Sequence, residues 1–529
     1  MVPAVKLKRA GGGTRKVLPA SKKGLGLSWP AKYLGWVLGL ICLLAAWQLA
    51  QRRETSEHPA SQMGPTNRVY PVGCKWRDVQ PEGRQHGFWD IVKYEYWSQA
   101  AQQWVAKMPE ACMVRGEDST RKWSTKYRGP ARTEVNCSDT HCIYDNLWYT
   151  NGRFYLLVDG PDPVKGWDMT RNQKLHVLHM DSAQAFAEGQ ALQYVQGDTL
   201  LFDFVYFLHP TAIGHWGETM FPLFSILKRE ASFAWPPAQF VLLHLKRVHL
   251  MEWVRAVVAT TLGVAPRGDL PPILMQQEVP SIWDQIPSPL EGFGNTTWVC
   301  FQRALVVRDI FTGGKRTFFS SQDAQDFRAR IYARNGLAPP QKRAPLPRQI
   351  TFQRKRANRR VVNEDQLISL LKEFGQVRVV EFNASTPFEE QLEVMASTAV
   401  FVSVHTSNLA NAQFLQPGSA VVELIQRNWI WHNLDKSFQV QTEVMGDIHH
   451  YAWRARFRNQ TVYIDKRDGE RFADWTSQQC ATEDCVEAHT NVDVVVNVAE
   501  LRALLVSCLP RVFEGASVES ASLPWPPTD

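Results

Sequence analysis

Between Ile350 and Ile425, short apolar runs alternate with stretches of helical spacing. Ile350 to Phe352, Val377 to Phe382, Ala399 to Val404 and Val421 to Ile425 are apolar runs bounded by polar residues or glycine, the pattern of parallel strands buried on both faces. Between them, Asn363 to Phe374 and Phe388 to Ser397 carry apolar side chains at helical intervals. The order predicts β-α-β-α-β, a half-Rossmann layer. A second alternation lies upstream. From Leu200 the run LFDFVYFL reads as a strand, and the following stretch turns into a helix with Met220, Leu223, Phe224 and Leu227 on one face. Gln239 to Leu245 and Ala304 to Val307 are further strands, with Met251 to Leu262 as a helix between them, which predicts a second Rossmann-like layer. The proline-rich stretch Ala338 to Pro347 reads as the linker. Residues 72–200 lack long periodic stretches, and their many Trp and Tyr residues read as core. The helical stretch Val498 to Leu505 is expected to close the protein by packing across both domains.

In parallel layers, ligands sit outside the carboxyl ends of the strands, where free N–H groups of helix N-termini attract phosphate. The polar loop His405-Thr406-Ser407-Asn408 leaves such a strand end. Arg354, Lys355, Arg356, Arg359 and Arg360 follow the strand at Ile350 and gather positive charge near the same edge, where guanidinium forks suit a diphosphate. The alternative is a solvated charged face. Position at a strand's carboxyl end favours the nucleotide site.

The basic stretch Arg354 to Asn363, a histidine after an apolar strand, and FLQPGSAVVEL at Phe414 to Leu424 resemble glycosyltransferase family 61, which includes plant N-glycan xylosyltransferases, xylan pentosyltransferases and the EGF-domain and O-mannose N-acetylglucosaminyltransferases. The resemblance is specific over Ile350 to Leu424, weaker over Tyr451 to Arg454 and Val492 to Leu505, and faint before residue 200. It implies a UDP-sugar donor and a GT-B architecture, an α/β fold of two Rossmann-like domains facing a cleft. On the donor side it implies Arg354, Arg359 and Asn363 at the phosphates or ribose, His405 with Thr406 and Ser407 at the diphosphate, and Glu423 at the ribose hydroxyls; Lys355 competes with Arg354 for its register. The family pattern has Gly-Ala after the histidine where this chain has Thr406-Ser407, which removes a glycine's freedom for close backbone approach and adds two hydroxyl donors.

An inverting transfer needs a base for the acceptor hydroxyl and counter-charge for the departing diphosphate. The resemblance places the base in the segment Ile213 to Pro222, with Glu218 as base and His215 orienting or binding. The two are i, i+3 and share a helix face; a dipole-satisfying acid beside an interface histidine is the competing reading. No D-x-D triplet occurs, so neither metal nor other cofactor is expected, and the ATPase, serine-hydrolase and zincin motifs are absent too.

Composition adds topology. The 529-residue chain, 44% hydrophobic, is long enough for two domains. Its formal charge of +7 does not point to nucleic acid: eight of the 59 basic residues lie in residues 1–32, which hold no acid, so the remainder is near neutral. Tyr33 to Ala50 is apolar and about long enough to cross a bilayer, with Trp36 and Trp47 near its ends. The basic tail before it and the lack of a small-x-small cleavage site favour an uncleaved anchor over a signal peptide. The expected layout is a cytosolic tail (1–32), an anchor (33–50), a stem (51–71), an acceptor-side domain (72–337), a linker (338–347), a nucleotide-sugar domain (348–490) and a closing segment (491–529).

This describes a single-pass type II Golgi protein with a lumenal body. Eight cysteines outside the anchor form an even set, in which Cys137/Cys142 and Cys480/Cys485 are near enough to close small disulfide loops; a zinc site of Cys480, Cys485 and His489 is the alternative. Asn136, Asn295, Asn383 and Asn459 head N-glycosylation sequons. The expected partners are a UDP-sugar and a glycan or glycoprotein acceptor. UDP-xylose comes first, from the anchor and the chain's end at PWPPTD, with UDP-GlcNAc and UDP-arabinose next. The competing class is an inactive lumenal glycan-binding or scaffolding protein of the same fold.

Overall fold

A computed structural model describes residues 76–79, 93–98, 103–105 and 132–522, the last without 151–152, 159–174, 180–191, 205–209, 244, 246–248, 267, 276–289, 291–297, 308–316, 343–344 and 384. The anchor and stem expected within residues 33–71 lie outside the described residues, among which no helix is long and apolar enough to cross a membrane. The described residues all fall within one compact unit.

Strands β1 (Trp76–Val79), β2 (Lys93–Ser98) and β3 (Gln103–Val105) form a small antiparallel sheet. The first large sheet holds β4 (Glu134–Cys137), β5 (His141–Thr150), β6 (Arg153–Val158), β7 (Leu175–His179), β8 (Leu192–Asp203), β9 (Gln239–Leu243), β10 (Ile273–Met275) and β11 (Trp298–Val307) in the order β10-β9-β8-β11-β5-β6-β7, with β4 on β5. Only part of it is parallel. The run β10-β9-β8-β11 is parallel, but β5 is antiparallel to β11, β6 and β4. The strands expected from Leu200, at Gln239 and at Ala304 are β8, β9 and β11 and pair in parallel; the antiparallel β4, β5 and β6 come from the stretch 72–200, which carries no periodic pattern. Thr150 pairs with Arg153, and a connection that short joins only antiparallel strands.

The second sheet holds β12 (Gln349–Gln353), β13 (Gln376–Val380), β14 (Val400–Val404), β15 (Ala420–Ile425) and β16 (His449–Arg454), all parallel in the order β13-β12-β14-β15-β16. The β-α-β-α-β reading holds here to within a residue or two at the strand ends. Strands β17 (Thr461–Tyr463) and β18 (Val492–Val494) form an antiparallel pair, and β19 (Ser520–Ser522) extends the second sheet beyond β16.

Helices α1 (Ile213–Arg229), α2 (Glu252–Thr261) and α3 (Ser321–Arg334) accompany the first sheet, and α4 (Glu364–Lys372) and α5 (Phe388–Ser397) are crossovers of the second. Gly214 and every residue of α1 from Trp216 to Leu227 are buried, as in a helix enclosed on nearly all sides. Its Phe221 and Phe224 pack with Phe318 and Phe327 at centroid distances of 4.7–6.1 Å. One apolar core runs from Leu200, Phe240 and Leu305 of the first sheet through these helices to Phe401 and Val421 of the second. Polar bonds cross the same boundary: Arg328 donates to the Leu415 carbonyl at 2.9 Å and Tyr332 to that of Phe414 at 2.5 Å.

The stretch 338–347 does connect α3 to β12. Helix α6 (Ser437–Glu443) lies between β15 and β16, and α7 (Lys466–Phe472), α8 (Glu483–Thr490) and α9 (Val498–Phe513) follow β16. The buried residues of α9, among them Leu501, Leu505 and Val512, join the core on the other face of the second sheet. That corrects the expectation that this helix packs across both layers. Its apolar face is used up by β12, β14 and β16. Cys137–Cys142 and Cys480–Cys485 are disulfides, whereas Cys300 and Cys508 are free and buried, so the even set is not fully paired. Burial pushes the Cys508 thiol up to about 12, which leaves it inert.

Candidate functional site

Strand order reverses between β12 and β14, so the loops leaving those two strands open the crevice where doubly wound sheets bind ligands. The loop after β12 carries the basic residues and the loop after β14 carries His405-Thr406-Ser407. Thr406 caps a 3-10 helix, Ser407–Phe414, without a side-chain bond to it. A cavity of about 310 Å³ lies at this edge, lined on one side by Thr211, Ile213 and Trp253 and on the other by Lys355, Phe382 and Ser407. That is near the small end for ligand clefts, ~300–1,000 Å³.

The five basic residues divide. Arg354 is tied to Glu364 (Nε to Oε1, 2.8 Å), Arg356 to Glu381 (2.6 Å) and Arg360 to Asp493 (2.5 Å). Lys355 and Arg359 have no acidic partner among the described residues. Burial and the charge of Arg359 push the Lys355 ammonium down, against the charge of Glu381, and burial pushes the Arg359 guanidinium down to about 10, so neither cation is neutralised by a direct ion pair. Lys355, not Arg354, reaches the cavity. This corrects the expected register: the side chain next to the strand end is spent on the first turn of α4.

Arg359 adopts φ 53°, unfavourable for a non-glycine residue. Strand β18 and its flanks hold the loop in that shape. The Val492 carbonyl accepts from Arg359 N–H at 2.6 Å and Val494 from Val362 N–H at 2.9 Å, while Thr490 accepts from Asn358 Nδ2 at 2.9 Å. Asn363 belongs to this clamp. Its amide donates to the Val496 carbonyl at 2.8 Å and accepts from Val496 N–H at 2.9 Å, so it straps the loop and does not face a ligand.

His405 lies inside the carboxyl edge. Its Nδ1 is bonded to Glu423 Oε1, and Glu423 Oε2 is bonded to His450 Nε2 at 2.8 Å. The register explains the trio: Ser403 pairs with Glu423 and Val421 with His450, so the three side chains are diagonal neighbours on one face. Burial alone would raise the Glu423 carboxyl, but the charge and hydrogen bond of His405, then those of His450, bring it down to about 2. With 0% exposure and both oxygens taken, Glu423 is an internal partner; the ribose role expected for it needs an open carboxylate. The His405 carbonyl accepts from Arg359 Nη1 at 2.8 Å, so the histidine helps to place the free cation.

Several buried polar atoms at these strand ends have no hydrogen-bond partner: Thr406 Oγ1, Arg359 Nε, both amide atoms of Gln426, and Trp429 Nε1. Trp429 is 5.6 Å from His405 ring to ring. Unsatisfied buried groups are uncommon in folded proteins, and their concentration around one loop marks a place that a ligand or water completes. Gln426 and Trp429 were missed in the sequence. The available signal was a polar residue immediately after the six-residue buried strand β15.

On the facing side, His215 Nδ1 lies 3.3 Å from Glu218 Oε2, as their spacing predicts. His215 is 31% exposed and Glu218 8%. Neither lines the cavity, which begins one turn earlier at Thr211 to Ile213. Gly214 is the contact point between the sides, against Ser407.

Among the described residues, Cys480, Cys485 and His489 are the group of His, Cys and acidic side chains close enough to share a metal ion. The two sulfurs are joined to each other, and His489 Nδ1 donates to the Cys485 carbonyl at 2.8 Å. The disulfide of the two readings is the one present. Of the sequons, Asn136, Asn383 and Asn459 are exposed, and Asn295 lies outside the described residues.

Residues 213–422 match the family described as glycosyltransferase 61, a span that runs from the start of α1 into β15 and so includes both walls of the cavity. No curated protein matches the chain.

Proposed function

Because the chain belongs to glycosyltransferase family 61 through residues 213–422, we propose that it transfers a sugar, with inversion, from a UDP donor to a glycan or glycoprotein acceptor in the secretory pathway. The observation that carries this reading is the pair of unpaired cations, Lys355 and Arg359, beside the unsatisfied Thr406 hydroxyl at the switch point of a parallel sheet. These groups suit a diphosphate, whose negative charge grows as the glycosidic bond to it breaks. Gln426 and Trp429, with polar atoms to satisfy, suit the nucleoside.

On the facing helix α1, one turn beyond the cavity, the exposures favour a division of labour other than the one read from sequence. His215, the more open of the two, takes the acceptor proton, while the buried Glu218 holds its Nδ1 and stabilises the imidazolium. The donor clamp is made of side chains and backbone, so the reaction is expected to run without metal. The GT-B arrangement, the anchor at 33–50 and a lumenal Golgi body belong to the same proposal, with UDP-xylose the first donor to try and UDP-GlcNAc and UDP-arabinose next.

The test is UDP release by the full-length protein in detergent and EDTA, with each UDP-sugar, with and without glycoprotein acceptors. Acceptor-dependent release from one donor, lost in His215→Ala, supports the reading. Folded protein that releases UDP from no donor across the acceptor panel overturns it in favour of an inactive glycan-binding protein of the same fold.

A further inference from the structure

Seven large apolar side chains are exposed among the described residues, and three of them, Phe457, Val462 and Ile464, line one surface groove. The groove measures about 900 Å³ and lies away from the candidate site, against β17 and α7. Phe457 is 54% exposed. The Arg456 guanidinium stands 5.6 Å from its ring centroid, so one face is covered and the other is open. A concentration of exposed apolar surface calls for an occupant.

The groove wall supplies one. Asn459, two residues after Phe457, is exposed, lines the groove and heads the sequon Asn459-Gln460-Thr461. A single 3-10 turn, Arg458–Gln460, closes between them, with Gln460 N–H donating to the Phe457 carbonyl at 3.0 Å. This turn sets ring and amide side by side on the same surface. Asn383 differs: its Oδ1 accepts from Ser385 N–H and Oγ at 2.9 and 2.6 Å, and none of the seven exposed apolar residues is near it in sequence.

We propose that the N-glycan of Asn459 is a structural part of the protein, its first N-acetylglucosamine lying on the open face of Phe457 and covering Val462 and Ile464. The apolar C–H face of the sugar meets the ring, and its hydroxyls face the charged rim of Lys466 and Glu470. The bond forms in the unfolded chain by transfer from a lipid diphosphate-linked oligosaccharide. The C1–O bond to the carrier breaks, C1–Nδ2 forms, and the amide proton and the carrier diphosphate leave. Thr461 Oγ1, buried and unpartnered in the folded protein, is accessible at that stage.

The inference rests on the lumenal placement proposed above. The test uses full-length protein from a eukaryotic host that leaves high-mannose glycans, with glycopeptide mass spectrometry and thermal unfolding before and after endoglycosidase H trimming to one sugar. Asn459 is expected to be occupied, and Asn459→Gln to lower Tm by roughly 2 °C, a difference that survives trimming and falls by at least half in a Phe457→Ala background. Occupancy at Asn136 and Asn383 with none at Asn459 overturns this inference alone, as does an Asn459→Gln shift independent of Phe457. No occupancy at any sequon overturns the lumenal placement as well.

Discussion

Gly214, in the first turn of α1, lies so close to Ser407 that a Cβ on it would stand 3.1 Å from the Ser407 Cα and 3.3 Å from its side chain. The close approach that a glycine after His405 would have allowed is made here by a glycine on the facing helix. Thr406 and Ser407 are therefore compatible with a closed junction between the two walls. Helix propensity alone predicts that Gly214→Ala stabilises by up to ~1 kcal/mol. Overpacking predicts the opposite, a loss of ~1–3 kcal/mol, and the second effect should win because part of the contact is backbone. Denaturant midpoints for Gly214→Ala, alone and with Ser407→Gly, check this: the loss should shrink in the double variant.

The division of the basic loop predicts a division of kinetics. Lys355→Ala and Arg359→Ala each remove an unpaired cation and should raise the donor KM roughly 10- to 100-fold, the worth of a charge-assisted hydrogen bond. Arg354→Ala breaks only a partly exposed pair with Glu364 and should change it less than about 3-fold. Initial rates of UDP release against donor concentration separate the two outcomes. Equal effects at all three positions would mean that the loop acts as a diffuse positive field.

These assignments mark how far the sequence could be read. The second sheet was legible because its strands are uniform apolar runs and its crossovers are periodic. The first sheet was only half legible, since β5 and β6 are aromatic and carry no clean alternation, and hairpin connectivity of that kind needs the register to be seen. In the site, residue type and strand end located the loop correctly. Which cations are free depended on Glu364, Glu381 and Asp493, the last 133 residues from Arg360, and no local pattern announces such partners. Glu423 looked like a ligand group because a carboxylate in a buried strand needs a partner, and that partner proved to be two histidines.

Glu423 has both oxygens committed within the fold. Replacing it by Gln leaves His405 and His450 with one acceptor between them. Leaving a buried donor unsatisfied costs ~1–3 kcal/mol, so Glu423→Gln should lose about that much stability in urea and also weaken UDP binding through the displaced His405 carbonyl and Arg359. Isothermal titration with UDP on the still-folded variant at low temperature checks the second effect. Unchanged UDP affinity would sever His405 from the placement of Arg359.

Acid sensitivity should begin near neutrality. His449 is fully buried, and its Nδ1 accepts from the Glu519 N–H at 3.2 Å. Burial pushes this imidazole down; Glu519 acts against the shift, and Arg511 and Lys342 add to it. His489 is lowered as well, by burial, partly offset by its bond to the Cys485 carbonyl. With the folded values below the unfolded value of about 6.5, the unfolded chain binds protons first on acidification. The stability these groups contribute is thus present above about pH 6.5 and is lost as pH falls through the interval down to their folded values. Glu423, held down to about 2, adds a loss only below about pH 4.3. Urea midpoints should be flat from pH 8 to 7 and fall as the pH drops below about 6.5. His449→Asn, which keeps an acceptor near Nδ1 but cannot titrate, should be less stable at pH 7.5 and show a shallower fall. An equally steep fall in that variant would move the acid-sensitive step to His489, where the same substitution and titration apply.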